Sequence, residues 1–134
     1  VIQPGLAIIV GLIGGAVYLG ASALLVKLRI DDTVDAIPVH GACGVWGLIA
    51  VGLFCDPALH NNAYGITNSP GGLFHGDGTM LGVQLLAALL IIGWVVAVMA
   101  PFFLLLNHFG LFRVSQLEEE VGLDISKHGG AAYN

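Results

Sequence analysis

Charged residues are scarce in this chain. Lys, Arg, Asp and Glu together make up 10% of its 134 residues, whereas a soluble domain usually carries about 25%. Only four of them are basic, and the net charge is −5, so the chain lacks the basic surface typical of nucleic-acid binding. The apolar share is 57% and the mean hydropathy is +0.91. This composition indicates a membrane protein.

Cysteines and metal-ligand patterns are also sparse. Cys43 and Cys55 are the only two cysteines, and on one helix with a rise of ~1.5 Å per residue they would lie ~18 Å apart, too far for a disulfide. The chain has no Cys/His spacing typical of a zinc site, and neither a Ser/His/Asp arrangement nor a paired-carboxylate cleft can be proposed. We therefore expect no metal, no cofactor and no enzymatic activity.

Three apolar segments are long enough to cross a membrane, which takes about 20 residues. They run from about 5 to 26, 36 to 54 and 80 to 106, and the second contains a histidine. We predict an all-α membrane protein, with a transmembrane region over 1–112 and a tail over 113–134.

The few basic residues set the expected orientation. Lys27 and Arg29 follow the first span and Arg113 follows the third, with no Lys or Arg between Ile30 and Phe112. Because basic residues concentrate in cytoplasmic segments, the tail is predicted to be cytoplasmic and the loop over 56–79 to face outside. The chain begins at Val1 with no basic leader, and we expect it to be a piece of something longer.

The loop over 56–79, which we call the outer loop after its predicted side of the membrane, is rich in turn-forming residues and contains two histidines. A metal site that joins His60 and His75 to Asp56 or Asp77 is conceivable. Solvated loop histidines are the simpler interpretation, and we favour it.

Acidic residues precede the second span. Asp35 is predicted to be its N-cap, and Pro38 is tolerated in a first turn whose amides are unpaired. Asp31 and Asp32 place negative charge near the helix N-terminus, where the helix dipole favours it. Capping and anchoring would account for Asp31 and Asp32, while Asp35 lies nearest the apolar run and is harder to assign.

His40 lies just inside the second span. A titratable side chain within a membrane is costly and usually marks a functional position. At 3.6 residues per turn, His40 shares a face with Gly44, Gly47 and Val51, and the glycines leave room for a close helix or beside the imidazole. The spacing alone leaves open whether His40 bonds a neighbouring helix or lines a pore.

Two runs resemble the ammonium transporter family (Amt/Mep/Rh). The first resembles the tenth transmembrane helix of that family: D-D-x-x-D-A-x-x-V-H-G-x-x-G-x-W-G, starting at Asp31. The second resembles its cytoplasmic tail: R-V-x-x-x-x-E-x-x-G-L-D-x-S-x-H-G, starting at Arg113. The resemblance implies the last three helices of an eleven-helix fold, in a homotrimer of the plasma membrane with one pore per subunit.

The family resemblance gives the second span a role. Two pore histidines from different helices hydrogen-bond to each other in the family, and His40 matches the second of them. Ammonium or ammonia is then the implied substrate, and the inner pore wall includes Ala36 and Val39. Trp46 is expected to be a packing anchor. The remaining positions near the pore are expected to be structural: Asp32, Asp35, Gly44 and Gly47.

The family resemblance also gives the tail a regulatory role, in which it folds under the neighbouring subunit and controls conduction. The tail positions on which that contact depends are Arg113, Gly122, Asp124 and His128. Ser126 falls where plant members carry a regulatory phosphorylated threonine. A phosphate there would add roughly −1.5 to −2 charge beside Asp124 and loosen the tail.

Two other functions remain open. The chain could be a stand-alone interaction module that regulates full-length transporter subunits. It could also belong to an ammonium sensor built on the same scaffold, for which a soluble signalling domain would be the sign.

Overall fold

The computed structural model describes residues 1–130, apart from the side chains of Asp124 and Ser126. Every regular element in that part of the chain is helical. Helix α1 spans Pro4–Leu28. A π-helical segment over Ile37–Ala42 continues directly into α2, which spans Cys43–Phe54.

The rest of the described chain contains one long helix and several short ones. Helix α3 spans Pro57–Tyr64, followed by a 3₁₀ turn over Leu73–His75. Helix α4 spans Thr79–His108 and continues through Pro101. Two short helices follow, α5 over Gln116–Val121 and α6 over Leu123–Lys127.

Three of these helices are long and apolar enough to cross a membrane, as the sequence predicts. They are α1 with 25 residues, the π-helical segment together with α2 (Ile37–Phe54) with 18, and α4 with 30. At ~1.5 Å per residue their lengths are roughly 38, 27 and 45 Å. The hydrocarbon core of a bilayer is about 30 Å thick. The first and third helices therefore exceed that thickness, while the second has little length to spare.

The chain divides into two compact units, Val1–Ile91 and Ile92–Asn134. In the first unit, α1 packs against the π-helical segment and α2. The Trp46 indole N–H donates to the carbonyl oxygen of Val10 at 3.0 Å. The Cys43 thiol lies 3.5 Å from the carbonyl oxygen of Gly14. A Cβ at Gly14 would lie 3.5 Å from the Trp46 ring, an ordinary van der Waals distance, so the indole lies directly beside the backbone of α1.

The outer loop packs tightly against the end of α2. Asp56 is the N-cap of α3, and its carboxylate also accepts a hydrogen bond from the side-chain amide of Gln3 at 2.8 Å. The hydrogen bond from Gln3 and those from the α3 amides hold the pKa of Asp56 below its ordinary value. The Gly72 amide donates to the carbonyl oxygen of Cys55 at 2.8 Å. Both cysteines are free thiols, and Cys55 is fully buried.

In the second unit, α5 and α6 contact each other beyond the end of α4. Ser115 and Glu118 form a capping box at the start of α5. Lys127 of α6 lies 3.2 Å from the Glu118 carboxylate. The hydrogen bonds from Ser115, with a smaller effect of Lys127, hold the pKa of Glu118 below its ordinary value.

Candidate functional site: the start of the second span

Asp32 caps the second span. Its Oδ1 accepts from the Ala36 amide at 2.9 Å and its Oδ2 accepts from the Ile37 amide at 2.7 Å. These are two of the amides that a helix start leaves unpaired. The prediction that Asp35 is the N-cap is therefore wrong, because Asp32 lies one turn earlier and its carboxylate reaches forward to both amides.

Asp35 instead joins the second span to α1. Its carboxylate accepts from the Tyr18 hydroxyl at 2.8 Å and from the Ser22 hydroxyl at 3.1 Å. Tyr18 and Ser22 are four residues apart on α1, so they share a face of that helix. Asp35 itself is in the left-handed region, with φ of 54°, a conformation that costs an L-residue of order 1–2 kcal/mol.

The winding of the chain beside His40 is π-helical. The Val39 amide still donates to the carbonyl oxygen of Asp35 in the α-helical pattern. The Cys43 amide reaches one residue further back, to the carbonyl oxygen of Pro38. Because a π turn contains an extra residue, a count of 3.6 residues per turn does not carry through this segment. Single π turns inside helices are frequent at functional sites.

The structure leaves one side of the second span open. The side chains of Ala36, Val39 and His40 are exposed, as are Gly44 and Gly47. A Cβ built at Gly44 or Gly47 would meet nothing within 4 Å. Trp46 is half-buried against α1, in keeping with a packing role.

The exposed imidazole of His40 can form two kinds of hydrogen bond beside apolar neighbours. It can donate a hydrogen bond from one nitrogen and accept at the other.

The loop histidines form no metal site with their neighbours. Among residues 1–130 no group of three or more His, Cys, Asp or Glu side chains is placed to hold a metal ion. His60 lies edge-on to the Tyr64 ring, with centroids 4.9 Å apart. His75 is exposed.

The predicted regulatory residues of the tail are only partly described. Arg113 donates from Nε and Nη2 to one oxygen of Glu119, at 3.0 and 2.7 Å. Gly122 has φ of 92°, in the region that favours glycine, and it separates α5 from α6. His128 is exposed. The side chains of Asp124 and Ser126 lie outside the described part of the structure.

Sequence reasoning missed two features of these sites, the capping box of α5 and the contact of Tyr18 and Ser22 with Asp35. The capping box has a readable signature, Ser115-x-x-Glu118, immediately after the third span. Tyr18 and Ser22 give a weaker signal, since they are two hydroxyl residues one turn apart in an otherwise apolar helix. Nothing in the sequence indicates which acidic residue they would contact.

Three long apolar helices, with a histidine near the start of the second, define a multi-pass α-helical membrane protein. A family model described as Ammonium Transporter Family matches residues 1–133. The chain therefore belongs to the ammonium transporter family.

Curated relatives agree with the family model. The chain is 42% identical to Ammonium transporter 1 member 1 of Solanum lycopersicum, over 99% of the chain and 28% of that protein. It is 43% identical to Ammonium transporter 1 member 1 of Arabidopsis thaliana, over 99% of the chain and 27% of that protein. It is 41% identical to Ammonium transporter 1 member 2 of Oryza sativa, again over 99% and 27%. The chain thus spans little more than a quarter of the length of these relatives. No solved structure matched it.

Proposed function

We propose that this chain forms part of a transporter that moves ammonium or ammonia across a membrane, with His40 in its pore. The observation that carries the proposal is the exposed imidazole of His40 on the open side of the second span. Membership of the ammonium transporter family supplies the substrate class. In this proposal a second histidine, from a helix outside this chain, completes a hydrogen-bonded pair with His40, and Ala36 and Val39 line the inner pore.

The chemistry of His40 suits that task. An imidazole held neutral in an apolar passage can accept a hydrogen bond from ammonium or donate one to ammonia. Because it can take up a proton at one ring nitrogen and release one from the other, the imidazole also suits proton relay. Apolar neighbours such as Val39 would exclude hydrated sodium or potassium, since they cannot replace the ion's water shell.

A chimera tests this proposal directly. Residues 1–133 would replace the matching segment of the Solanum lycopersicum relative, in host cells that lack ammonium uptake of their own. We expect the chimera to take up labelled methylammonium. His40→Ala should reduce uptake at least about tenfold or change the preference for ammonium over potassium, because the passage loses its polar group.

His75→Ala is the matched control, since His75 is an exposed histidine of the outer loop. It should leave uptake and selectivity unchanged. If His40→Ala transports like the unmodified chimera at equal abundance in the membrane, the pore role is wrong. A chimera that reaches the membrane without transporting contradicts the proposed function as a whole.

We also propose that the tail regulates transport by contacting a neighbouring subunit of a homotrimer. Support comes from the turn that leads into α5, where Arg113 pairs with Glu119 of that helix and Ser115 caps its start. In the chimera, Ser126→Asp should lower uptake, because added negative charge beside Asp124 would loosen the tail. Ser126→Ala is the control and should transport normally. Equal uptake by the two variants would sink the regulatory role of Ser126.

The proposed orientation places the tail in the cytoplasm of a plasma-membrane protein. All four basic residues lie either at the end of α1 or beyond α4. Lys27 is in the last turn of α1 and Arg29 directly follows that helix, while Arg113 and Lys127 lie beyond α4. With three spans, both positions fall on the same side of the membrane, and basic residues favour the cytoplasmic side.

A further inference from the structure

We propose that Tyr18 and Ser22 of α1 are positioning residues for His40, acting through Asp35. This inference rests on the proposed function, in which His40 faces the substrate. The side-chain hydrogen bonds of both residues go to Asp35, just before the second span. Their contribution is to fix the start of that span against α1, so that the imidazole is held at one position along the helix and at one rotation.

The contacts of Asp35 give the first step. Both of its carboxylate oxygens are engaged by hydroxyl groups of α1, with Tyr18 at 2.8 Å from Oδ2 and Ser22 at 3.1 Å from each oxygen. Asp35 holds a left-handed backbone conformation. A strained conformation persists where its surroundings determine it, and these two hydroxyl groups are the side-chain partners that the structure shows.

The backbone of Asp35 gives the second step. Its amide donates to the carbonyl oxygen of Asp32 at 3.3 Å, and its own carbonyl oxygen accepts from the Val39 amide at 3.0 Å. Asp35 is therefore built into both the turn before the second span and the first turn of the span. His40 is the next residue after Val39, so a displacement of Asp35 is transmitted to the imidazole through one hydrogen bond and one peptide unit.

The π-helical winding makes that start position decisive. The segment from Ile37 to Ala42 is π-helical, and at its end the Cys43 amide reaches five residues back, to the carbonyl oxygen of Pro38. Where this segment begins relative to Asp35 determines which side of the helix His40 faces. Cys43 and Trp46 also hold the span to α1, through the carbonyl oxygens of Gly14 and Val10. Both residues come after the π-helical segment, so they do not fix where it begins. Tyr18 and Ser22 are the side chains that hold it before that segment.

The test compares single-atom changes in the active chimera. Tyr18→Phe and Ser22→Ala each remove one hydroxyl group, while Ser22→Thr keeps it. Tyr64→Phe is the matched control, because Tyr64 is 67% exposed in the outer loop. For each variant, the half-saturating concentrations of ammonium and methylammonium are measured, together with its abundance in the membrane. The readout is the ratio of these two concentrations.

We expect Tyr18→Phe and Ser22→Ala to change that ratio at least about threefold at equal abundance, because reacting or binding groups misplaced by about 1 Å lose much of their effect. Ser22→Thr and Tyr64→Phe should keep the original ratio. A general packing role would lower abundance or maximal uptake and leave the ratio unchanged.

An unchanged ratio in both Tyr18→Phe and Ser22→Ala overturns the inference. So does a Ser22→Thr variant that behaves like Ser22→Ala, because the hydroxyl group would then be irrelevant. If Tyr18→Phe fails to reach the membrane, the pair of Ser22 variants decides. These outcomes leave the proposed function intact, since they presuppose a transporting chimera that is sensitive to His40→Ala.

Discussion

At the scale of single residues, the absence of one side chain allows the outer loop to pack against α2. A Cβ at Gly72 would lie 2.5 Å from the carbonyl oxygen of Leu53 and 2.6 Å from the amide nitrogen of Cys55. Both atoms belong to the backbone and cannot move aside independently. The hydrogen bond from the Gly72 amide to the carbonyl oxygen of Cys55 depends on this close approach.

Gly72→Ala is therefore expected to destabilise the first unit by about 1–3 kcal/mol, the usual cost of overpacking a tight contact. The measurement is thermal unfolding of the purified chimera in detergent. Gly78→Ala is the matched control, since its Cβ would meet only a Leu73 methyl group at 3.8 Å. Equal unfolding temperatures for Gly72→Ala and the unmodified chimera would contradict the prediction.

The acidic turn shows how far sequence could assign individual residues. Composition and helix-dipole arguments placed Asp32 and Asp35 near the start of the second span. They could not distinguish the two roles, because both carboxylates could reach the same unpaired amides. The choice depends on α1, whose Tyr18 and Ser22 engage Asp35 and leave Asp32 to cap. A contact between distant parts of the chain cannot be read from local spacing.

At the scale of elements, the indole of Trp46 joins the first turns of α2 to α1. Trp46→Phe keeps a ring but removes the N–H that donates to the carbonyl oxygen of Val10. Losing such a hydrogen bond costs about 0.5–1.5 kcal/mol, so the unfolding temperature should fall. Trp94→Phe provides the control, because Trp94 is 72% exposed. This variant should leave the unfolding temperature nearly unchanged. If both variants lower the unfolding temperature equally, Trp46 is not an anchor.

The start of α5 should be sensitive to acid. Hydrogen bonds from Ser115 favour the ionised form of Glu118 and lower its pKa below the ordinary value of 4.5. The stabilisation is therefore fully present above the ordinary value and is lost as pH falls through the lowered one. NMR titration of the Glu118 carboxyl in the purified chimera should give a midpoint below 4.5. Ser115→Ala removes the hydroxyl donor but keeps the backbone amide donor, so it should move that midpoint part of the way upward. An unmoved midpoint would show that the Ser115 hydroxyl does not contribute.

Elements were predictable where one strong signal decided them. Three apolar runs of membrane length form three long helices, because hydropathy over about 20 residues is a strong signal. Helix α3 was not anticipated within the outer loop, where the abundant turn formers suggested irregular structure. Its start depends on one residue, Asp56, whose side chain accepts from the Ala58 and Leu59 amides. Local capping can create a short helix that composition does not reveal.

At the scale of the whole molecule, little of the apolar surface is covered. In the most apolar 18-residue windows of α1 and α4 none of the residues is buried, and in that of the second span 17% are. Such surfaces are stable against lipid or other apolar helices and unfavourable in water. This agrees with a chain that spans 28% of its tomato relative. The sequence could predict which side of the second span is open. It could not predict the residues that face this side, because in the proposed transporter they belong to helices outside this chain.

The proposed orientation yields the final prediction. Asn62 lies exposed in the outer loop and Gln116 lies exposed at the start of α5. If these two residues lie on opposite sides of the membrane, only one of them is accessible from outside an intact cell. Asn62→Cys should then react with a membrane-impermeant maleimide on intact cells, and Gln116→Cys should react only after permeabilisation. The unmodified chimera is the background control, in which Cys55 is buried and Cys43 half-buried. If Gln116→Cys is labelled on intact cells and Asn62→Cys is protected, the proposed orientation is wrong. The basic residues would then lie on the outer side, which they normally avoid.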